Sequence, residues 1–478
     1  FCGGIINKVM TVIRPNSISG VSSITGQGGD ISIFRADGTA ADVFVNNITS
    51  GVITATTFKG PVEGNVTGSG ANLTNLPAAN ITGTLPAIDG SNLTGVGLGT
   101  DGSANTSGII TATAFVPTTQ GSLSHRNMII NGDHRISQRG TAAVTVDGNA
   151  RYRCVDRFKS DIDSTGNGDW SHEQSTDVPA GQGFTHSSKI TTVTQASQPS
   201  ASTVNQFYTL LEKQDITHLE WGTSAAKTCT LSFWVKGSIT GTYPLWFGIY
   251  TGTTNYYYTN YTIDSANTWE KKVISVTGPT SGGVVSGTTA TGLRIEWGLG
   301  FASDFETGTL NEWTTSDVYR TAAGSVYLPE NAGATWYLTG CQFEIGSVAT
   351  PFEFRTFNEN LLLCQRYFCK SYNYDVYSTS TGSADHFDGA VCQRSIASTG
   401  SNLIFSPYPV LMRTEPTVTL RGPTAATDDS GKIRGSGNTA ISVGGFQNTN
   451  SPRQLAFYFT SNQSNSFISG HYYADAEL

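Results

Sequence analysis

Charge is scarce in this chain of 478 residues: Asp, Glu, Lys and Arg together make 13%, and the net charge is -8. A shortage of cations on an acidic balance argues against a nucleic-acid partner and against an electrostatic grip on anionic lipid. No apolar run approaches the length of a membrane span, so no membrane insertion is expected. The first residues form no apolar h-region, which argues against a secretory signal. Cysteine is sparse and odd in number, seven in all, with no CxxC spacing. Free thiols made in a reducing cytoplasm fit that usage better than a disulfide framework. Cys229 and Cys341 lie in strand-like runs and are expected as small core residues. Also missing are a Gly-x-Ser-x-Gly elbow, a His-Glu-x-x-His pair and a phosphate loop, and the histidines stand alone, so no enzyme activity and no cofactor are expected.

The aromatic residues are as unevenly spread as the charges. No Tyr or Trp precedes Tyr152, and all eight Trp lie between Trp170 and Trp336. The 84 residues from Asp37 to Gln120 hold six charges, and no Arg occurs between Arg35 and Arg126. Such a segment cannot build a large aromatic core alone, yet it is too apolar for a solvated linker. It repeats itself. Ser50-Gly-Val-Ile-Thr-Ala-Thr-Thr-Phe58 returns as Ser107-Gly-Ile-Ile-Thr-Ala-Thr-Ala-Phe115, and Leu76-Pro-Ala returns as Leu85-Pro-Ala. Short β-branched runs between Gly, Asn and Pro suit strands added in series, whose small apolar faces are buried only by parallel copies of the chain. A slender homo-oligomeric shaft follows; a disordered Gly/Thr linker is the other reading.

What the remainder holds in abundance is alternation. Leu231, Phe233 and Val235 alternate with Ser232, Trp234 and Lys236; Leu293, Ile295 and Trp297 alternate with Arg294 and Glu296. Trp336, Leu338, Cys341, Phe343 and Ile345 follow the same period with one slip at Thr339-Gly340, where a β-bulge fits. Frequent turn residues between such runs indicate a β-sandwich. Asn358 is expected to cap a short helix running from Asn360 to Lys370, with Glu359 in its first turn. Beyond it, strands such as Thr417-Val-Thr-Leu420 beside Pro407, Pro409 and Pro416 suggest a second small β domain.

Several of these stretches resemble tail-fibre and receptor-binding proteins of bacterial viruses, of the cyanophage-like kind. Those proteins carry a carbohydrate-binding-type jelly-roll domain. The similar motifs are Arg126-Asn-Met-Ile-Ile-Asn-Gly132, Ile136-Ser-Gln-Arg-Gly140, Val155-Asp-Arg-Phe158, Leu231-Ser-Phe-Trp-Val-Lys-Gly237 and Asn267-Thr-Trp-Glu270. Gly340-Cys-Gln-Phe-Glu-Ile-Gly346 follows, with Ala349-Thr-Pro-Phe-Glu353 and Leu363-Cys-Gln-Arg-Tyr-Phe368. They cover residues 122–368, roughly half the chain. The resemblance implies a trimer made in the host bacterial cytoplasm and carried on the virion, with its N-terminal part on phage tail or baseplate proteins. It also implies host surface polysaccharide as the partner. Met10 opens a natural-looking start, which makes the preceding residues an expected upstream extension. The end, Tyr472-Tyr-Ala-Asp-Ala-Glu-Leu478, resembles that of related fibres. The expected fold is all-β. An N-terminal extension and attachment segment (1–36) leads to a repetitive fibre shaft (37–121) and a central jelly-roll β-sandwich (122–357). A connecting helix (358–370) and a small C-terminal β tip domain (371–478) complete it.

A sugar-binding face needs an aromatic platform for the C–H face of a pyranose and planar polar groups for its hydroxyls. Tyr243 to Tyr261 is rich in such rings. Tyr256, Tyr257 and Tyr258 cannot all point inward, because strand side chains alternate. Trp170 sits among polar residues and is expected to be exposed with Asp169; Trp313 follows Asn311-Glu312 and is expected likewise. The glycan-binding candidates are therefore Asp169, Trp170, Asn255, Tyr256, Tyr258 and Trp313, on loops at one end of the sandwich. Asp161, Asp163, Asn167 and Asp169 cluster as a calcium loop would, but without EF-hand spacing or a distal bidentate Glu, and a plain polar turn is the favoured reading, so no metal is expected. The expected function is host-glycan recognition by a fibre adhesin. A passive structural fibre and a polysaccharide depolymerase are the alternatives.

Overall fold

A computed structural model describes residues 125–478, together with Asp37 and Thr39. Left aside within that span are 147–149, 163–167, 197–202, 252, 283–284, 286, 303–304, 306–308, 317–320, 375–390, 395–400, 422–431, 436–439, 447–450 and 461–466. The repeats expected to form a shaft lie outside the described residues.

In chain order the first strands are β1 (Val144–Val146), β2 (Arg151–Tyr152), β3 (Phe158–Ile162), β4 (Asp169–Ser175), β5 (Ser187–Thr194) and β6 (Val204–Glu212). A one-turn helix α1 (Lys213–Ile216) precedes β7 (Thr228–Gly237), β8 (Gly241–Tyr250), β9 (Thr254–Ile263) and β10 (Glu270–Thr277). Then come β11 (Thr291–Phe301), β12 (Trp313–Thr314) and β13 (Thr335–Ile345). They form two antiparallel sheets, one six-stranded in the order β1-β4-β5-β13-β7-β10 and one seven-stranded in the order β12-β9-β8-β11-β6-β3-β2. The inner faces meet in one core. Leu231, Phe233 and Val235 of β7 and Trp336, Leu338 and Phe343 of β13 face Leu245 and Phe247 of β8 and Ile295 and Trp297 of β11, all fully buried. Each such side chain contributes about 1.5–3 kcal/mol by leaving water. Ile345 is partly buried against the same cluster, and Cys229 and Cys341 lie within it.

The slip at Thr339-Gly340 is a real bulge. The register of β13 on β7 shifts between Thr339 and Gln342, and Gly340 has φ +63°. A Cβ at Gly340 would sit 2.7 Å from the Phe184 ring, so both the backbone angle and the space demand glycine there.

The motif residues prove to be the joinery of this sandwich. The Asn127 amide donates to the Cys341 carbonyl at 3.0 Å and accepts from the Ile129 and Phe343 N–H groups. Asn131 donates to the carbonyls of Ile136 and Asp156. Gln342 donates to Glu344 at 2.8 Å and accepts from the Glu353 N–H, while Glu344 accepts from both the N–H and the hydroxyl of Thr350. These bonds fasten the incoming arm and the outgoing turn to β13 and satisfy buried polar groups that would otherwise be costly.

The connecting helix differs from the expected one. α2 runs over Phe357–Gln365, and its N-cap is Thr356, whose hydroxyl accepts from the Glu359 N–H at 3.3 Å. Thr356-x-x-Glu359 outcompetes Asn358 because it is a capping-box pair. The segment expected to finish the helix instead forms β14 (Phe368–Lys370). The strands after it are β15 (Val391–Arg394), β16 (Ser401–Pro407), β17 (Thr417–Arg421), β18 (Lys432–Gly435), β19 (Ala440–Phe446), β20 (Gln454–Thr460) and β21 (Phe467–Asp475). All belong to a second sheet system in which β21 pairs with β14, β15, β17 and β18. Its core includes Cys369, Ile404, Met412, Leu455, Phe457 and Tyr472.

Candidate functional site

The structure brings part of the expected site together and separates the rest. Asn255, Tyr256 and Tyr258 lie in β9 and Trp313 in β12, the strand paired to it, with Trp313 opposite Tyr257 and Thr314 opposite Tyr256. Asp169 and Trp170 lie on β4, in the other sheet.

Trp170 was expected on an exposed loop; it is fully buried in the sandwich core. Its polar neighbours do not contradict this, because β4 alternates: Asp169 faces water, Trp170 and His172 face inward. Asp169 accepts the Thr194 hydroxyl at 3.0 Å. The expected loop at 255–258 is strand instead, since Tyr and Thr favour an extended pleated chain. Tyr256 and Tyr258 do share a face, their rings stacked at 6.0 Å and 10°, with Trp246 beside Tyr256 at 5.5 Å. That face is the outer one of the seven-stranded sheet. Tyr258 is nonetheless fully buried, and its hydroxyl donates to the Ser316 carbonyl at 3.0 Å. It is not an open platform.

Of the calcium-loop candidates, Asp163 and Asn167 lie outside the described residues. Asp161, on β3, accepts from the Gln206 amide at 2.9 Å, and Asp169 is on the opposite sheet. Among the described residues, no group of three His, Cys, Asp or Glu side chains is placed to hold a metal ion.

The open cleft at the β9 and β12 end of the sandwich is lined by the ring pair that the strand pairing creates. Tyr257 and Trp313 sit 5.4 Å apart at 52°, and Trp313 meets the buried Trp221 edge-on at 5.4 Å. The Trp313 indole N–H donates to the Thr277 carbonyl at 2.7 Å, which fixes the ring's orientation. Gly278 permits this, since a Cβ there would lie 2.1 Å from the Trp221 ring. Around the rings stand Asn255, Asn311, Glu312, Thr280 and Ser281, enclosing a cleft of about 840 Å³. Asn311 is held with φ +65°; its N–H donates to the Tyr258 carbonyl at 2.7 Å and its side-chain oxygen accepts from Thr259 at 2.7 Å. The Asn255 amide donates to the Thr253 carbonyl at 3.0 Å. Burial raises the Tyr257 phenol above its ordinary value, so it remains a neutral donor and acceptor. Half-exposed aromatic faces beside amides, hydroxyls and one carboxylate can stack a sugar ring and bond its hydroxyls.

Of the candidates named from the sequence, Asn255 and Trp313 line this cleft; Tyr257, Thr280 and Ser281 line it too and were not among them. The alternation that puts Tyr256 and Tyr258 outside puts Tyr257 on the core side, where the cleft opens. That signal was in the sequence; the partner strand was not.

No protein-family model matches the chain, and no curated protein matches it. Solved structures similar to part of it include a bacteriophage CBA120 tailspike protein 4 enzymatically active domain, at 12% identity and a TM-score of 0.24. That likeness covers 46% of this chain and 21% of the tailspike chain. A CBM22-2 xylan-binding domain from Paenibacillus barcinonensis is similar at 14% identity and a TM-score of 0.24, over 42% of this chain and 99% of that one. A family 11 carbohydrate-binding module from Clostridium thermocellum is similar at 9% identity and 0.23, over 44% and 99%. The architecture is that of an antiparallel β-sandwich of jelly-roll type, followed by a smaller β domain.

Proposed function

We propose that this chain is the adhesive component of a viral tail fibre, binding host surface polysaccharide in the cleft between β9, β10 and β12. The observation that carries the reading is the Tyr257–Trp313 pair, half-exposed, fixed by the indole bond to Thr277 and ringed by Asn311, Glu312, Thr280 and Ser281. Polar groups at a rigid aromatic floor are what a pyranose requires. The order of fibre-like motifs from Arg126 to Phe368 supports the setting, and the low-charge repeats before Gln120 support a trimeric shaft whose copies raise the effective concentration of weak sites. In this reading the N-terminal part joins tail or baseplate proteins, and assembly takes place in the host cytoplasm before incorporation into the virion.

The reading is binding without cleavage. Glycoside hydrolysis uses two carboxyl groups across the scissile bond, and among the described lining residues Glu312 is the one that carries a carboxylate. A glycan array probed with the full chain tests it. Retention of surface glycans without release of reducing ends supports the reading; release of reducing ends replaces it with a depolymerase, and no retention leaves a passive fibre.

A further inference from the structure

The charge around the Tyr257–Trp313 cleft is of one sign, which bears on the sugars it can take. Three stretches of chain line it: part of β9, the end of β10 with the turn after it, and residues 311–315. Gly237 to Ile263 holds no charged residue, and neither does Val273 to Leu293. Glu296 to Tyr319 holds five acidic residues and no Lys, Arg or His. Among the described lining residues the one charge is that of Glu312, which is exposed. The neighbouring cations are engaged or distant. Lys272 pairs with Glu270 at 2.6 Å and with Asp264 at 3.0 Å, and Arg294 pairs with Glu296 at 2.5 Å. Lys271 stands four positions before Ser275, about 13 Å along the strand. The Lys227 carbonyl accepts the Gly278 N–H at 3.2 Å, but its side chain does not line the cleft; its charge acts on His218 and Cys229.

A carboxylate-bearing sugar entering this cleft gives up part of its water shell, meets no cation in exchange and comes close to Glu312. A sugar ammonium meets the reverse. Glu312 can pair with it, and the π-faces of Tyr257 and Trp313 attract a cation. The Trp313 indole N–H is already given to the Thr277 carbonyl at 2.7 Å, so this ring offers a ligand its face and not its donor. N-acetylation of the same sugar removes the charge and with it both attractions.

We infer that the cleft selects sugars carrying a free amino group over their N-acetylated and unsubstituted counterparts, and turns away uronates. The inference rests on the glycan reading above and narrows it to a chemical class. Glu312 sets the order of preference, while the ring faces supply affinity common to all forms. A cleft whose charge is of one sign also raises the local concentration of ligands of the other sign.

The test is an array on which gluco, galacto and manno oligosaccharides each appear with a free amine, N-acetylated, unsubstituted and as the uronate. It is probed with the full chain at about pH 6, where an amine of the α-amino kind is charged. On whichever scaffold is retained, the free-amine form should bind tightest and the uronate weakest. Calorimetry should give the amine an advantage of about threefold over its N-acetylated counterpart, the size of an exposed ion pair, and Glu312→Gln should remove it. Raising the ionic strength from about 0.01 to about 1 M shortens the screening length from roughly 30 to 3 Å and should erode the same advantage in the unaltered chain, with no substitution needed. An amine bound no better than its N-acetylated form, uronates bound as well as amines, or an advantage that a folded Glu312→Gln chain keeps would each overturn the inference and leave the cleft a sugar site. Retention of no form on any scaffold overturns the glycan reading and the inference with it.

Discussion

Arg157, immediately before β3, and Glu477 form a buried ion pair across the junction of the two β domains, and the Arg157 guanidinium lies 3.4 Å from the Tyr367 ring centroid. The pair does not stand alone. Arg139 reaches Asp475 and Glu477 at 3.3 Å, and Arg413 donates to the carbonyls of Ala476 and Glu477. Arg366 and Tyr367 meet Glu212 of β6. The last strand of the second sheet is thereby strapped to the outer side of the first domain.

Removing one partner of the central pair leaves a buried charge unmatched. Glu477→Gln is expected to cost about 3–5 kcal/mol, and Arg157→Met in the same chain to recover part of it. Urea unfolding of the two variants checks this. A loss no larger than that of a surface pair means the junction is not held by these charges.

The core prediction is simpler. Phe343 is fully buried between Phe247 and Trp221, with ring centroids at 5.8 and 5.9 Å. Phe343→Ala should cost about 3–5 kcal/mol, the loss of transfer energy plus a cavity. Denaturant titration measures it.

Acid should loosen the sandwich. Burial holds His172 down at about 3, with Arg153 adding to the effect, and burial with His172 nearby holds His134 well below its ordinary value. The unfolded chain takes up these protons as pH falls through about 6.5, whereas the folded chain resists until much lower. Their contribution is therefore full above that pH and is lost progressively toward about 3. Asp156 acts in the opposite sense: burial pushes it up to about 6, so its penalty is relieved as the pH falls below that value. Burial also lowers His186 and His218 and raises Asp133 and Asp215, so four histidines stand against three carboxyls and the balance is a net loss. The urea midpoint should fall between about pH 7 and pH 4.5, and His172→Gln should flatten that fall. An unchanged slope in the variant contradicts the assignment.

The fold was legible because its determinants are local or repeat along strands. Alternation in β7, β11 and β13 marked the core face, and the slip at Gly340 marked the bulge. The fibre-like motifs were legible for a related reason: Asn127, Asn131, Gln342 and Glu344 satisfy buried backbone groups, so their identity is fixed by the joint they make. None of them lines the cleft. The site was less legible. Trp170 misled because polar neighbours on a strand point the other way. Tyr258 is covered by a segment 58 residues downstream, and Tyr257 gains its role from Trp313 across the β9–β12 pairing. Such pairings are non-local, and no spacing in the sequence encodes them.

In the proposed reading Trp313 forms the floor of a sugar site. Calorimetric titration of the full chain and of its Trp313→Ala variant, with an oligosaccharide retained on the array, tests it most directly. The variant should stay folded and lose affinity about tenfold or more, equivalent to ~1.4 kcal/mol, while Trp313→Phe retains most of the binding. Equal affinity in the wild type and in a folded Trp313→Ala chain would contradict the account.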